Sequence, residues 1–341
     1  MSVSRTRLTA FFVTAVLILA CGVIYLGRRA AQSNAEQETA AAAEATAQRL
    51  DPAAVQDEPH VVFRNTALGP SYGKVALVPV SDPSGSRAIV DTSCERVYAV
   101  AQRGFCLSAS RGVVTTYQGN VLGPDLTQIR TVTITGGPSR ARVSESGERA
   151  ASTVFVAGHS YLDTGFSTVT EIADTTTGQG LGNLETYRID MNGSEYSNVD
   201  VNFWGVTFAS DNAFYATLGT GGKTYLIRGD VSKQEVTVLR ENAECPSLSP
   251  DGRKIGYKKA SGSAASRTWR FTVLDLATGV ETQLPETRSI DDQLAWLDDE
   301  HVLYGVPRSD TGGIDVWVSP LTGGQPRLLI PDAESPAVVQ P

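Results

Sequence analysis

The stretch that most limits what this chain can become is Cys245-Pro-Ser-Leu-Ser-Pro-Asp-Gly-Arg-Lys-Ile-Gly-Tyr-Lys258. Pro250 presets φ for a tight turn, Asp251 can bond its own backbone, and Gly252 accepts the positive φ that follows. Ile255 and Tyr257 then alternate with polar neighbours, as on a half-buried strand. A lone hairpin is marginal in water, but this one recurs. With Leu248 as the reference, the equivalent positions are Val90, Val143, Phe208, Trp296 and Val338. The intervals between successive positions along the chain are 53, 65, 40, 48 and 42 residues. Periods of roughly 40–50 residues built from β units indicate propeller blades.

Two units complete the template. Tyr257 is followed by Thr268–Leu276, a turn at Ala277-Thr-Gly279, and Val280–Leu284; Tyr304 is followed by Ile314–Pro320, a turn at Leu321–Gly324, and Arg327–Ile330. Each repeat therefore has four strands. Ser335–Val339 supplies an inner strand with no residues left for the other three. Val61–Arg64, Lys74–Val80 and Ser86–Ile89 are three strands that lack an opening one. Joined, they make a further blade from both ends, and such closure removes free sheet edges. The expected fold is an all-β, six-bladed propeller closed by N- and C-terminal strands and preceded by one transmembrane helix. The expected divisions are an anchor at 1–29, an Ala/Gln/Glu-rich linker at 30–59 and the propeller at 60–341.

Leu8–Leu26 is 19 residues without a charge, flanked by Arg5, Arg7, Arg28 and Arg29. That length suffices to cross a bilayer and exceeds the apolar region usual for a cleaved signal. We read it as an uncleaved, single-pass anchor with the body outside the cytoplasm. A lipobox-like Ile18-Leu-Ala-Cys-Gly22 and a cleavage site after Ser33-Asn-Ala35 stay open as alternatives. From His60 onward, 24 Lys and Arg face 31 Asp and Glu. An acidic body argues against nucleic acid as a partner. Cys94 and Cys106 form the natural disulfide pair in an oxidising compartment. A tight turn at Gln102–Gly104 would set Cys106 opposite Val100, so the bridge demands a less regular hairpin. Cys245 reads as a small buried side chain.

Catalytic and metal signals are sparse. Gly69-Pro-Ser-Tyr-Gly73 matches G-x-S-x-G, but it precedes a strand rather than the helix a nucleophile elbow needs. His60, His159 and His301 are scattered, and zinc wants three or four ligands. Asp291-Asp292 and Asp298-Asp299 lack a calcium-loop ladder. Gly178-Gln-Gly-Leu-Gly182 is half a dinucleotide fingerprint with no helix after it. It falls in Asp163–Glu185, which reads as an extended binding loop. No metal and no cofactor is expected. In a propeller, the approaches to the inner strands open on one face near the axis. Arg140, Arg142, Asp200, Asn202, Trp204, Asp291 and Asp292 lie on those approaches. Together with His159 they are the candidate partner-binding residues. A Trp among opposite charges suits a peptide or polar ligand, whereas mutual Arg–Asp pairing between blades is the bland explanation.

Leu-Ser-Pro-Asp-Gly-Arg-Lys-Ile-Gly-Tyr257 followed by Val-Leu-Asp-Leu-Ala-Thr-Gly279 resembles the repeat of TolB-like β-propellers. From Tyr72 to Pro341 the chain looks like the membrane-anchored or secreted TolB-like proteins of high-GC Gram-positive bacteria, and Arg exceeds Lys by 23 to 6. The resemblance implies a non-enzymatic propeller that docks proteins of an envelope complex, with a role in translocation. The separate N-terminal domain of TolB itself is missing. The expected function is a monomeric, non-catalytic, extracytoplasmic propeller that binds an envelope protein or peptide. A metal-holding propeller enzyme of lactonase or lyase type, and a surface small-molecule or glycan sensor, are the rival readings; acids and histidines around the axis would mark the first, a central aromatic pocket the second.

Overall fold

The computed structural model describes residues 5–46, 48–156, 167–263, 266–309 and 313–341. By backbone contacts the chain divides into two units, Met1–Ala47 with Leu68–Tyr72, and Gln48–Ala67 with Gly73–Pro341. The first contains α1 (Arg5–Thr46), a helix long and apolar enough over Val13–Thr46 to cross a membrane. The second is the propeller.

Among the described residues, 26 strands form six sheets. Blade 1 takes β1 (His60–Asn65), β2 (Lys74–Pro79) and β3 (Ala88–Ser93). Blade 2 is β4 (Arg96–Val100), β5 (Arg103–Ser110), β6 (Thr116–Leu122) and β7 (Gln128–Thr133). Blade 3 is β8 (Gly137–Val143), β9 (Arg149–Val156), β10 (Ser167–Asp174) and β11 (Gly180–Asn183). A hairpin of β12 (Arg188–Met191) and β13 (Ser194–Tyr196) precedes blade 4. That blade comprises β14 (Asn202–Phe208), β15 (Ala213–Thr220), β16 (Lys223–Asp230) and β17 (Glu235–Glu241), and the hairpin joins its outer edge by parallel pairing of β12 with β17. Blade 5 is β18 (Glu244–Leu248), β19 (Lys254–Ser261), β20 (Thr268–Asp275) and β21 (Glu281–Gln283). Blade 6 is β22 (Ala295–Trp296), β23 (His301–Pro307), β24 (Ile314–Pro320) and β25 (Arg327–Ile330). The last strand, β26 (Ala333–Val339), returns to pair antiparallel with β1, with Val61 opposite Val338. The ring is thus closed by its two ends, as the sequence predicts.

Two turns recur for stated reasons. After β18, Gly252 at φ +70 donates to Ser249 O (2.9 Å), and Lys254 N donates to Ser249 Oγ (2.9 Å). After β8 the degenerate Ser-Glu-Ser-Gly makes the same turn, with Gly147 N on Ser144 O and Arg149 N on Ser144 Oγ. Each turn also reaches the next blade in the chain order. Ser144 Oγ donates to Asp211, and Asp251 N donates to Asp299. Between third and fourth strands, Asp275 accepts from Thr278 N and Oγ1, and Asp174 accepts from Thr177 N and Oγ1.

The second turn corrects one expectation. Of the expected loop Asp163–Glu185, residues 163–166 lie outside the described residues, and the rest is not a loop: it holds β10, β11 and the start of a 3-10 turn at Leu184–Thr186. A second correction concerns Val90, which lies in β3. The position equivalent to Leu248 in blade 2 is Val100, ahead of a two-residue turn that pairs Val100 with Arg103.

The core lies between blades. Phe63, Phe105, Phe214, Tyr257 and Tyr304 are fully buried, one on the second strand of each of five blades. Each contributes about 1.5–3 kcal/mol by leaving water. A short helix α2 (Pro52–Gln56), capped by Asp51 on Ala53 N, buries Val55 against blades 1 and 2.

Candidate functional site

Inner strands of a propeller all begin on one face, which places their first residues around one end of the axis. On β8, Arg140 and Arg142 are two apart and so share a side of the strand. Arg142, only 8% exposed, reaches to blade 6 and donates Nη2 to Leu294 O at 2.8 Å. Its guanidinium also lies 4.4 Å from the centre of the Tyr98 ring in blade 2. Arg140 meets Asp292 at 3.9 Å and donates to Ser139 O at 2.8 Å. Burial opposes the charge on Arg140, but neighbouring Cys245, Asp292 and Asp291 outweigh it and hold its proton more firmly. For Arg142 burial prevails and lowers its proton affinity, despite Tyr98 and Asp292.

Asp291 pairs with Lys258 of β19, whose side chain is almost wholly buried and lies 5.1 Å from the Trp269 ring centre. Burial would raise the Asp291 carboxyl, but Lys258 and Arg140 bring it below its ordinary range. Asp292 is a scaffold residue as well, accepting from Gln293 N and Gly305 N at 2.8 Å each. Gln293 in turn ties blade 6 to blades 4 and 5, donating to Val206 O (3.3 Å) and Pro246 O (2.7 Å).

On the other side of the mouth, Glu334 of β26 pairs with Arg96 and, at 3.1 Å, with Arg64. Arg96 also donates to Ser139 O at 2.9 Å, and Ser335 Oγ donates to Val97 O at 2.8 Å. Arg96, Arg140, Arg142, Asp292, Gln293 and Glu334 surround a cavity of about 20 Å³.

Of the sequence-chosen residues, Arg140, Arg142, Asp291 and Asp292 are thus brought together. Asp200, Asn202 and Trp204 have separate tasks. Asp200 accepts from Thr220 Oγ1 (2.6 Å) and Gly221 N (2.7 Å), closing the β15–β16 turn. Asn202 accepts from Ser167 Oγ and Thr168 N at 3.0 Å, joining blades 3 and 4. Trp204 covers Gly219, where a Cβ would come within 2.6 Å of its ring. His159 lies outside the described residues. Sequence reasoning missed Arg96, Lys258, Gln293 and Glu334. The signal available for Glu334 was its place at the head of the closing strand.

Cys94 and Cys106 are bridged, with Cα atoms 5.5 Å apart. Cys106 faces Val97 rather than Val100, and Cys94 sits in the connection between β3 and β4, so the bridge ties that connection to the second strand of blade 2. Cys245 is buried with φ +52, its Cα packed against Gly205. His60 is buried, its Nδ1 2.7 Å from Glu58 O, and His301 meets Asp298 at 2.9 Å. Among the described residues no three His, Cys, Asp or Glu converge on a point that suits a metal ion.

No family model and no curated protein matches the chain. Solved structures do. TolB from Acinetobacter baumannii is 17% identical, with 82% of this chain and 66% of that one aligned at a TM-score of 0.50. A puromycin-hydrolysing peptidase of Mycobacterium tuberculosis (13% identical, 79% and 43% covered, TM-score 0.47) is also similar. So is a putative TolB from Agrobacterium tumefaciens (13%, 80% and 87%, 0.47). The chain spans just under two thirds of the Acinetobacter protein. At these identities the likeness speaks for architecture: the chain is a six-bladed β-propeller with the TolB-like fold.

Proposed function

We propose that this protein is a non-catalytic binding propeller, held at a membrane by its N-terminal helix, whose mouth face receives an envelope protein or peptide. In this reading residues 1–29 are the anchor, 30–59 the connection and 60–341 the binding body, placed outside the cytoplasm. The observation that carries it is the convergence of Arg96, Arg140 and Arg142 with Asp292 and Glu334 at the mouth. Fixed charges of both signs on a rigid ring suit polar recognition and set partner orientation.

The surroundings support the same reading. The loop joining β5 to β6 ends on that face, and its Val113 and Val114 stand in solvent, as does Val199 ahead of β14. An apolar rim beside ordered charges is the composition of a protein-contact surface. The Cys94–Cys106 bridge fits an oxidising compartment. A translocation role would follow from the identity of the partner.

The test is crosslinking in native membranes followed by affinity recovery of the full chain, with a reporter fused after Pro341 to report its side. A specific partner lost on replacing the mouth arginines, and an extracytoplasmic reporter signal, are the expected results. A cytoplasmic reporter, or recovery of the chain alone, would overturn the reading.

A further inference from the structure

We infer that the mouth is a carboxylate-binding site, taking one oxygen of a carboxylate of an acidic peptide between the guanidinium groups of Arg140 and Arg142. This rests on the binding role proposed above and names the chemistry of its ligand.

Three buried polar atoms at the mouth lack hydrogen-bond partners: Arg140 Nε, Arg142 Nε and Gln293 Oε1. All three residues line one cavity. Buried polar atoms are nearly always satisfied, so a cluster of exceptions marks a place where another molecule belongs. The cavity, about 20 Å³, has room for one oxygen-sized atom. Two of the three atoms are cationic donors, and these suit a carboxylate oxygen.

Charge gives the same answer. Three guanidinium groups line the cavity against two carboxylates, Asp292 and Glu334. Glu334 is shared by Arg64 and Arg96. Asp292 is 3.9 Å from Arg140 and already accepts two backbone N–H groups. Arg142, more than nine-tenths buried, bonds only carbonyl oxygens and stacks on Tyr98. Asp292 lies near enough to act on its charge, but no carboxylate bonds it; a buried cation so placed is costly, and a ligand carboxylate lowers that cost.

The test is isothermal titration of the full chain in detergent micelles with three probes. They are N-acetyl-Gly-Gly-Ala with a free C-terminus, N-acetyl-Gly-Asp-Gly-amide, and the neutral N-acetyl-Gly-Gly-Ala-amide. Binding of either carboxylate probe at least about tenfold tighter than the neutral amide is expected, since a charge-assisted bond contributes about that factor. Whichever carboxylate probe is tighter identifies the source as a chain end or an Asp side chain. Arg142→Gln should remove the preference, and acetate should compete with the tighter probe on the wild-type chain, which needs no variant to fold. Equal binding of all three probes, or no binding by any, overturns the inference. The membrane crosslinking separates the two claims. A partner recovered equally by wild type and Arg142→Gln keeps the binding role and sinks the carboxylate site. Recovery of no partner by the wild-type chain, while that chain still prefers the carboxylate probes, keeps the site and sinks the role.

Discussion

Glu185 should make the joint between blades 3 and 4 sensitive to pH. Its Oε1 accepts from Phe203 N at 3.2 Å and its Oε2 from Thr170 N at 3.3 Å, so one carboxyl ties the inner strand of blade 4 to the third strand of blade 3. Burial raises its pKa to about 7; the backbone N–H groups pull the other way, and Glu171 adds to the rise. A carboxyl whose folded pKa exceeds its unfolded value of 4.5 stabilises the fold fully below 4.5, and that stability is lost as pH climbs to about 7. The full span is worth about 3 kcal/mol, and partial contact of the side chain with water reduces it to about 2 kcal/mol. Glu185→Gln cannot titrate, and it offers only one acceptor for two N–H groups. It should therefore be less stable than wild type by about 1 kcal/mol at low pH. Toward pH 8 its deficit should close or reverse by about 2 kcal/mol. Urea unfolding of both proteins followed by tryptophan fluorescence between about pH 5 and about pH 8 gives the difference directly. Parallel curves for wild type and variant across that range would refute the reasoning.

Other outcomes follow from geometry already described. Gly205→Ala should cost about 2–4 kcal/mol, because φ is +68 and the new Cβ would lie 2.8 Å from the Cys245 backbone; a thermal midpoint equal to wild type would contradict this. Replacing Cys94 and Cys106 together by Ser should lower stability by about 3 kcal/mol, read from urea midpoints with and without reductant. Tyr304→Phe leaves Glu286 without a 2.7 Å donor and should cost about 1.5–3 kcal/mol. Glu286, held at about 2 chiefly by Arg288 and Tyr304 against burial, stabilises above pH 4.5. Acid unfolding of the Tyr304 variant should therefore begin at a higher pH than in wild type.

Much of the ring was legible because turn chemistry punctuates it. Ser249-Pro-Asp-Gly252 and Asp275-Leu-Ala-Thr-Gly279 each write their backbone bonds into side chains. Where that punctuation fails, so does the reading. The β4–β5 turn is Ala101-Gln102, with no Gly, Asp or Pro, and Val90 in β3 offered a better-looking but wrong reference. Asp174-Thr-Thr-Thr-Gly178 does carry the same signal as Asp275–Gly279, but the glycines after it suggested a loop. At the site, position in the blade was enough to bring Arg140, Arg142, Asp291 and Asp292 together. It was not enough for Lys258, which alternates as a solvent-facing strand residue would and is instead drawn inward by Asp291 and Trp269. Nor could spacing show that Asp200 and Asn202 spend their acceptors on backbone amides.

The strand that shuts the disc also furnishes part of its entrance. Glu334 meets Arg64 across a separation of 270 residues, and the same carboxylate meets Arg96. Until that late segment docks, Arg64 and Arg96 lack the carboxylate they share, Arg64 keeping Glu95, and the opening has a different electrical character. Closure of the circle and completion of the charge pattern at its entrance are therefore a single event, and a half-made ring carries the wrong charge there.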